Sequence, residues 1–201
     1  MHPPAFVLTL KRSEARYKRC QEHLQSVGIT AKPFYGLDCE ITGLRTVHTY
    51  ELDHPGSNYV MGAKTVSLNL SHYMLWAMLA YQPEDAFIIL EDDAKFDTDW
   101  KQRFDDAWSV LPKDWDFLFL GSCCTADKPQ WNIGKNLNVV TFPMCTHAYA
   151  VRAKALPVLF TSCQKVYAPI DVTLVTEVLH KLKQFTILPR IASQFETLIS
   201  P

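Results

Sequence analysis

Three consecutive acidic residues, Glu91, Asp92 and Asp93, directly follow the apolar run AFIIL at positions 86–90. Neighbouring carboxylates repel each other by about 1 kcal/mol at 4 Å in water, and by more where water is scarce. Carboxylate oxygens are the ligands that Mg²⁺ or Mn²⁺ prefers, and such a cation would offset this repulsion. The triplet therefore predicts a metal site that could also hold a diphosphate. The alternative is a solvated acidic turn in which Asp92 or Asp93 caps the segment that follows.

Two arginines and an aspartate follow other predicted strands. Arg12 and Arg16 lie at or just beyond the end of the first strand, where a guanidinium can bind phosphate or stack on a base. Asp38 follows the second strand and could accept hydrogen bonds from a ligand. Ligands of open α/β sheets bind outside the carboxyl ends of the strands, so all three are candidate binding residues. Each also has a simpler explanation, as a solvated helix residue or a turn residue.

A histidine, His72, lies in the apolar segment 66–81, which is long enough for a well-buried helix. At helical spacing it shares one face with Asn69 and Trp76, so polar groups form a stripe on an otherwise apolar helix. Trp76 is expected in the core. His72 is either a core residue with satisfied hydrogen bonds or a residue of the ligand site.

Three further candidates lie in the second half of the chain. His147 and Tyr149 alternate with other residues in the predicted strand 146–151, so we expect them to share a face. His147 could supply a later metal ligand. Asp171 follows Pro169 at a predicted helix start, where capping is the simpler role and general base the functional one.

The rest of the chain predicts the scaffold for these residues. Short apolar runs alternate with helical patterns, which is typical of α/β layering. The predicted strands are 5–10, 29–36, 86–90, 116–121, 138–142, 146–151 and 184–188. The predicted helices are 14–27, 66–81, 98–111, 153–161 and 171–182. No repeat or linker divides the chain, so residues 1–201 are predicted to form a single domain.

One region lacks any periodic pattern. Residues 37–61 contain glycines, a proline and many polar residues, which predicts a long surface loop. We expect residues 42–62 to act as a lid that closes over a bound ligand.

Composition and charge argue against several classes of protein. Hydrophobic residues make up 48% of the 201 residues and charged residues 20%, as in soluble globular proteins. Twenty basic and 21 acidic residues leave a formal charge of −1, which does not favour capture of nucleic acid or of an anionic membrane. No apolar stretch reaches the roughly 18 residues of a membrane-spanning helix. The N-terminal MHPPAFVLTLKR predicts a first strand rather than a signal peptide.

The cysteines give an expectation about redox state. They show neither CxxC spacing nor regular pairing, and two are sequence neighbours, which rarely suits a disulfide framework. The six are Cys20, Cys39, Cys123, Cys124, Cys145 and Cys163. We therefore expect free thiols and a cytoplasmic location.

Taken together, these segments resemble glycosyltransferase family 25, the group of lipooligosaccharide galactosyltransferases and collagen galactosyltransferases. The most specific match is LSHYMLW at 70–76, followed by IILEDD at 88–93. Weaker matches are the basic motif LTLKRSEAR at 8–16, the Gly-Leu-Asp at 36–38 and the closing SQFETLIS at 193–200. The resemblance spans nearly the whole chain.

This chain departs from the family pattern in two places. Where the family has an acid, a glycine and a cysteine before the LSH motif, this chain has Thr65, Ser67 and Leu68. Cys39 stands where a glycine follows the aspartate at 38. The resemblance implies that both segments border the nucleotide, so the departures concern the identity of the donor.

The resemblance implies an α/β fold of GT-A type, a Rossmann-like, mostly parallel sheet flanked by helices. It implies that Glu91 and Asp93 bind the metal, that Asp171 is the catalytic base, and that His147 and Tyr149 lie on the acceptor side. The residues expected to bind the nucleotide are Thr9, Leu10, Arg12, Arg16, Asp38, Ser71, His72 and Asp92.

The implied activity is a metal-dependent, inverting transfer of a hexose, galactose above all. The donor is a UDP-sugar, the cofactor Mn²⁺ or Mg²⁺, and the acceptor a hydroxyl of a glycan or glycolipid precursor, as in lipopolysaccharide biosynthesis. Such an acceptor is compatible with peripheral membrane association, and no nucleic-acid partner is expected. The residues alone support only an α/β enzyme with an acidic metal site. Two alternatives therefore stay open: a metal-dependent phosphohydrolase or nucleotidyltransferase, and an inactive sugar-nucleotide-binding module.

Overall fold

The computed structural model describes residues 2–44, 48–51, 58–123, 131–166 and 168–195. The strands are β1 (Ala5–Thr9), β2 (Ala31–Tyr35), β3 (His48–Glu51), β4 (Asn58–Met61), β5 (Ala86–Glu91), β6 (Ala94–Phe96), β7 (Phe117–Cys123), β8 (Trp131–Gly134), β9 (Leu137–Val139), β10 (Met144–Arg152), β11 (Gln184–Ile187) and β12 (Ala192–Gln194). The α-helices are α1 (Glu14–Ser26), α2 (Cys39–Thr42), α3 (Ala63–Leu79), α4 (Trp100–Val110), α5 (Leu156–Ser162) and α6 (Ile170–Thr173). A short 3₁₀ turn (Ala153–Ala155) precedes α5, and a π-helical turn (Leu174–Val178) and a 3₁₀ turn (Leu179–Lys181) continue α6.

The main sheet has eight strands in the order β2-β1-β5-β10-β7-β11-β9-β8. The pairs β1–β2, β1–β5 and β7–β11 are parallel, whereas β10 and β9 run antiparallel to both of their neighbours. Six of these eight strands therefore point in one direction. The predicted α/β class with a mostly parallel sheet is confirmed.

Both faces of this sheet are covered. Alternate residues of β1 and β5 enter opposite hydrophobic clusters: Val7 and Leu90 pack in the cluster with α1 and α4, and Phe6 and Ile89 in the cluster with α3, α5 and α6. Strands buried on both faces read as continuous apolar runs, which explains why β1 and β5 were predictable.

The predicted loop at 37–61 is wrong in part. It contains the helix α2 and the antiparallel hairpin β3–β4. Elements of four residues are too short to produce a periodic pattern. The same explanation holds for β6 and β12, which pair in a separate small sheet. The predicted lid 42–62 falls partly outside the described residues, at 45–47 and 52–57.

Two cysteines form a disulfide, so the expectation that all cysteines are free is wrong. Cys123 at the end of β7 is bonded to Cys145 near the start of β10. Met144 is the register partner of Cys123, and Cys145 has a positive φ of 74° at an irregularity in the pairing. This cross-strand proximity depends on which strands pair, and cysteine spacing alone does not reveal it.

The remaining cysteines do not alter this conclusion. Cys20, Cys39 and Cys163 are free and buried, and Cys124 lies outside the described residues. Because a structural disulfide favours an oxidising environment, cysteine usage no longer supports the expected reducing cytosol.

In the part of the chain that the structure describes, no helix has the length and apolarity to cross a bilayer.

Replacing both Cys123 and Cys145 by serine should lower the free energy of unfolding of the oxidised protein by about 3 kcal/mol. The disulfide joins positions 22 apart, so its loss frees that loop in the unfolded chain. Chemical denaturation of the parent protein and of the double variant measures the difference in the free energy of unfolding. A dithiol reductant should abolish this difference, because it reduces the disulfide of the parent. Equal stability of the parent and the double variant under oxidising conditions would contradict the disulfide.

Candidate functional site

A cavity of about 380 Å³ lies at the carboxyl ends of β1 and β5. Strand β2 pairs with one side of β1 and β5 with the other, which makes this crevice a switch point of the kind where α/β sheets bind ligands. Four segments form the walls: the β1–α1 connection, the turn after β2, the first half of α3 and the end of β5. The lining residues are Leu8, Thr9, Leu10, Arg12, Ser13, Arg16, Leu37, Cys39, Lys64, Ser67, Leu68, Ser71, Glu91 and Asp92.

Asp92 is buried at the wall of this cavity and both of its oxygens are bonded. Thr9 donates its hydroxyl to Oδ2 at 2.8 Å, and a terminal nitrogen of Arg16 lies 2.6 Å from Oδ1. Burial raises the pKa of Asp92, and the hydrogen bond from Thr9 and the charge of Arg16 only partly oppose this effect. Asp92 thus joins the ends of β1 and β5 and holds Arg16 beside the cavity.

Asp93 is less well compensated. Its Oδ2 lies 3.4 Å from Arg16 and accepts a hydrogen bond from Gln194 at 3.3 Å. Its Oδ1 is buried and has no hydrogen-bond partner among the residues that the structure describes. Burial and then the negative charge of Glu91 raise the pKa of Asp93 to about 6. A nearby cation would favour the ionised form and satisfy the free oxygen.

Glu91 is held from behind the cavity. Its Oε1 accepts a hydrogen bond from the Thr146 hydroxyl at 2.6 Å and lies 3.3 Å from Nε2 of His72. Burial raises the pKa of Glu91, but the hydrogen bonds from His72 and Thr146 outweigh it, so the pKa is lowered overall. Glu91 is therefore an ionised carboxylate at neutral pH.

His72 and Tyr149 lie beneath the cavity and do not line it. Both side chains are fully buried, and Nδ1 of His72 is 3.0 Å from the Tyr149 hydroxyl. The same hydroxyl accepts a hydrogen bond from Nε1 of Trp76 at 2.9 Å, and the Tyr149 ring stacks on Phe117 at 4.7 Å. The structure therefore does not place Tyr149 on an acceptor-facing surface, and His72 contacts Glu91 rather than the cavity.

Two serines of α3 fix the turn after β2. Ser71 accepts a hydrogen bond from the Leu37 amide at 2.8 Å, and Ser67 donates to the Leu37 carbonyl. Gly36 permits this approach, because a Cβ atom there would lie 2.5 Å from the Ser71 hydroxyl. Ser71, which is predicted to bind the nucleotide, lines the cavity and also shapes its wall.

Asp38 is engaged within that turn. Its Oδ1 accepts a hydrogen bond from the Glu40 amide at 3.0 Å at the start of α2, and its Oδ2 lies 2.6 Å from Nε of Arg12. Arg12 also pairs with Glu40 at 3.0 Å. Asp38 itself does not line the cavity, although Leu37 and Cys39 on either side of it do.

Asp171 and His147 lie away from the cavity lining. Asp171 accepts hydrogen bonds from the amides of Cys145 at 3.2 Å and of Val172 at 2.9 Å. His147 is buried, with Nε2 facing the Ala192 carbonyl at 3.4 Å, and its Nδ1 has no partner within the described part of the chain. The amide of Cys145 donates to Asp171, and the hydroxyl of the next residue, Thr146, donates to Glu91. Asp171 and Glu91 are therefore connected through two neighbouring residues of β10.

The acidic residues fit a cation that a substrate helps to bind. In the described ranges, no three His, Cys, Asp or Glu side chains converge as a metal site made by protein alone. Mg²⁺, however, is commonly held by one or two carboxylates together with substrate phosphates. The unpartnered Oδ1 of Asp93 and the ionised Glu91 supply such a pair. Asp92 is already bonded to Thr9 and Arg16 and is less suited to this role.

Two residues of the site, Lys64 and Thr146, were not predicted from the sequence, and Ser67 was expected near the nucleotide only through the family resemblance. Lys64 and Ser67 line the cavity from the start of α3, and Thr146 binds Glu91. Ser67 and Ser71 stand four residues apart on one helix, so their common face was available as a signal. Lys64 and Thr146 gave none, because their roles depend on where α3 and β10 lie relative to β5.

Comparisons with known proteins agree with the architecture. A family model described as glycosyltransferase family 25 (LPS biosynthesis protein) matches residues 2–174. A "Glycosyltransferase 25 family member" of Drosophila melanogaster is 29% identical over 106 residues, which is 49% of this chain and 17% of that protein. A "Probable inactive glycosyltransferase 25 family member 3" of Bos taurus is 23% identical over 125 residues, 58% of this chain and 21% of that protein.

A solved structure supports the fold. It is a glycosyltransferase involved in the glycosylation of the major capsid of PBCV-1, with a TM-score of 0.53 at 10% identity, covering 93% of this chain and 82% of that one. The sheet and helices are accordingly a GT-A-like α/β fold. The alignments span only about a fifth of the two curated relatives, whereas the family model matches most of this chain. The chain belongs to glycosyltransferase family 25.

Proposed function

We propose that this protein is a metal-dependent, inverting glycosyltransferase that moves galactose from UDP-galactose to a hydroxyl of a glycan or glycolipid precursor. The observation that carries the proposal is the cavity at the ends of β1 and β5, where three cationic side chains line the wall together with Glu91 and Asp92, and Asp93 follows directly in the chain. The family description names LPS biosynthesis, which supports a glycolipid acceptor.

The cationic wall suits the diphosphate of a sugar nucleotide. Arg12, Arg16 and Lys64 line the cavity, and α3, a helix of 17 residues, begins beside Lys64. Amide groups at a helix start and the helix dipole favour bound phosphate. Thr9, Leu10 and Ser71 complete the wall against which the nucleotide would pack.

Asp93 and Glu91 would hold Mn²⁺ or Mg²⁺ at the acidic end of the cavity. Such a cation supplies Lewis-acid stabilisation of the negative charge that grows on the leaving diphosphate. Arg16, held by Asp92, adds positive charge at the same place. Both effects stabilise the leaving group as the bond to the sugar breaks.

Asp171 is the proposed base, which removes the proton of the acceptor hydroxyl as the single displacement proceeds. Each of its oxygens accepts one backbone hydrogen bond, so each keeps a second lone pair for that proton. The two amides orient the carboxylate, and Asp171 is separate from the carboxylates proposed to bind the metal. His147 remains a candidate for the acceptor side only if β12 moves, since Ala192 covers it.

One observation favours an inactive binding module as the second candidate. The Arg16 guanidinium approaches both Asp92 and Asp93, a place that a cation could otherwise share, and the bovine relative is named probable inactive. Incubating the protein with UDP-sugars and Mn²⁺ separates the possibilities. Transfer or slow release of UDP supports the transferase, release of other phosphate products supports a phosphohydrolase, and UDP binding without turnover supports the module.

Asp93→Asn should weaken Mn²⁺-supported UDP binding at least roughly tenfold, or about 1.4 kcal/mol, because it neutralises the least compensated carboxylate. Calorimetry with and without a chelator measures this. Asp85→Asn is the matched control, since Asp85 precedes the same strand at its opposite end and its side chain is 93% exposed. Equal UDP affinity of the parent with and without chelator would refute metal dependence.

Lys64→Ala should weaken UDP binding about three- to tenfold and leave uridine binding unchanged, since we expect this cavity-lining lysine to contact the phosphates and not the nucleoside. Lys18→Ala, on the exposed face of α1, serves as the control for loss of one positive charge. Raising the salt concentration should narrow the difference in UDP affinity between Lys64→Ala and the parent, because salt screens the charge of the lysine. An equal loss of affinity for uridine would argue against a phosphate contact.

Asp171→Asn should reduce kcat at least roughly a hundredfold while the Tm and the Mn²⁺–UDP affinity stay near normal. Asparagine keeps the shape and one carbonyl acceptor but removes the base. Steady-state kinetics with the preferred donor provide the measurement. If the variant keeps more than about a tenth of the turnover, the base is another residue and Asp171 only orders the turn at Cys145.

A further inference from the structure

A chain of buried hydrogen bonds ends on Glu91, and we call its other members, Trp76, Tyr149, His72 and Thr146, the buried relay. Trp76, Tyr149 and His72 are 0% exposed and Thr146 is 4% exposed. The successive distances are 2.9 Å from Trp76 to Tyr149, 3.0 Å from Tyr149 to His72 and 3.3 Å from His72 to Glu91. Thr146 reaches the same Glu91 oxygen at 2.6 Å from β10.

The donors and acceptors of this chain set the position of each proton. The indole of Trp76 can only donate, so the Tyr149 oxygen is its acceptor. The buried Tyr149 hydroxyl then has one proton to donate, and Nδ1 of His72 is the acceptor within reach. With Nδ1 accepting, the proton of the neutral imidazole lies on Nε2 and is donated to Glu91. Any other order leaves a buried donor unsatisfied.

Both donors converge on one oxygen of Glu91. His72 and Thr146 bond to Oε1, while Glu91 lines the cavity with 16% of its side chain exposed. We propose that the buried relay consists of positioning residues that hold Oε1 from behind and thereby present the second Glu91 oxygen to the donor cavity. This inference rests on the proposed function, in which Glu91 helps to bind the cation.

Repulsion among the three neighbouring carboxylates explains why Glu91 needs donors that hold its position. Without the two donors, Glu91 would turn away from Asp92 and Asp93, since like charges favour separation. Residues that orient a metal-binding carboxylate commonly change metal affinity or activity 10- to 100-fold when they are replaced. The two donors reach Glu91 from α3 and from β10, so its orientation depends on two side chains, His72 and Thr146, that do not line the cavity.

The order of protons can be measured without any substrate. In the parent protein, ¹⁵N NMR of His72 should show Nδ1 unprotonated and Nε2 protonated. Tyr149→Phe removes the hydroxyl and should raise the population with a protonated Nδ1. Tyr73→Phe, which removes a hydroxyl from the same helix as His72, is the control and should leave the His72 signals unchanged. A protonated Nδ1 in the parent would overturn the relay.

Substitutions of Thr146 test whether the buried relay positions Glu91 for cation binding. Thr146→Val keeps the shape and removes the hydroxyl, and it should weaken Mn²⁺ binding in the presence of UDP at least tenfold. Thr146→Ser keeps the donor and should recover the parent's affinity to within about threefold, which a role in packing alone would not produce. Equal Mn²⁺ affinities for the valine and serine variants would overturn the positioning role. If the parent binds no Mn²⁺–UDP at all, the proposed function fails, whereas the NMR measurement still decides the relay.

Discussion

The repulsion among three successive carboxylates at the end of a buried strand is the constraint around which this site is organised. Each carboxylate is compensated to a different degree. Asp92 has both oxygens bonded, Glu91 is held by two donors from behind, and Asp93 keeps a buried oxygen without a partner. Burial and the charge of Glu91 raise the pKa of Asp93, in line with its weaker compensation. A positive ligand therefore gains most at Asp93, where the protein itself supplies least.

Helix α3 shapes the opposite side of the cavity through small polar residues. Ser67 and Ser71 bond the carbonyl and the amide of Leu37, which fixes the turn after β2 at the distance that Gly36 permits. Ser67 is one of the positions where this chain departs from the pattern of its family. The departure therefore has a structural role, because the hydroxyl at this position holds the turn that borders the proposed nucleotide site.

Sequence reasoning succeeded where a single element decided the outcome. The apolar runs of β1, β5 and β7 and the long helix α3 were predictable because each buries a continuous surface. The rule that strand ends meet at one edge of the sheet indicated that Arg16 and Asp92 lie near one ligand site, whereas Thr9 was implied only by the family resemblance. Alternation in β10 indicated which residues share a face but not that both faces are covered, so Tyr149 was expected on a surface and is fully buried. The disulfide depended on strand pairing, which no spacing of cysteines reports.

The hydrogen bonds that assemble the acidic site join residues far apart in the chain. Thr9 and Asp92 are 83 positions apart, Thr146 and Glu91 are 55 apart, and Gln194 and Asp93 are 101 apart. The entropy of closing long loops opposes such non-local contacts, and a high share of them slows folding. A ligand that binds only the assembled site consequently draws the whole folding equilibrium toward the native state. Binding and cooperative folding are thus linked in this protein, and a fragment without either Thr9 or Gln194 has no complete site to offer.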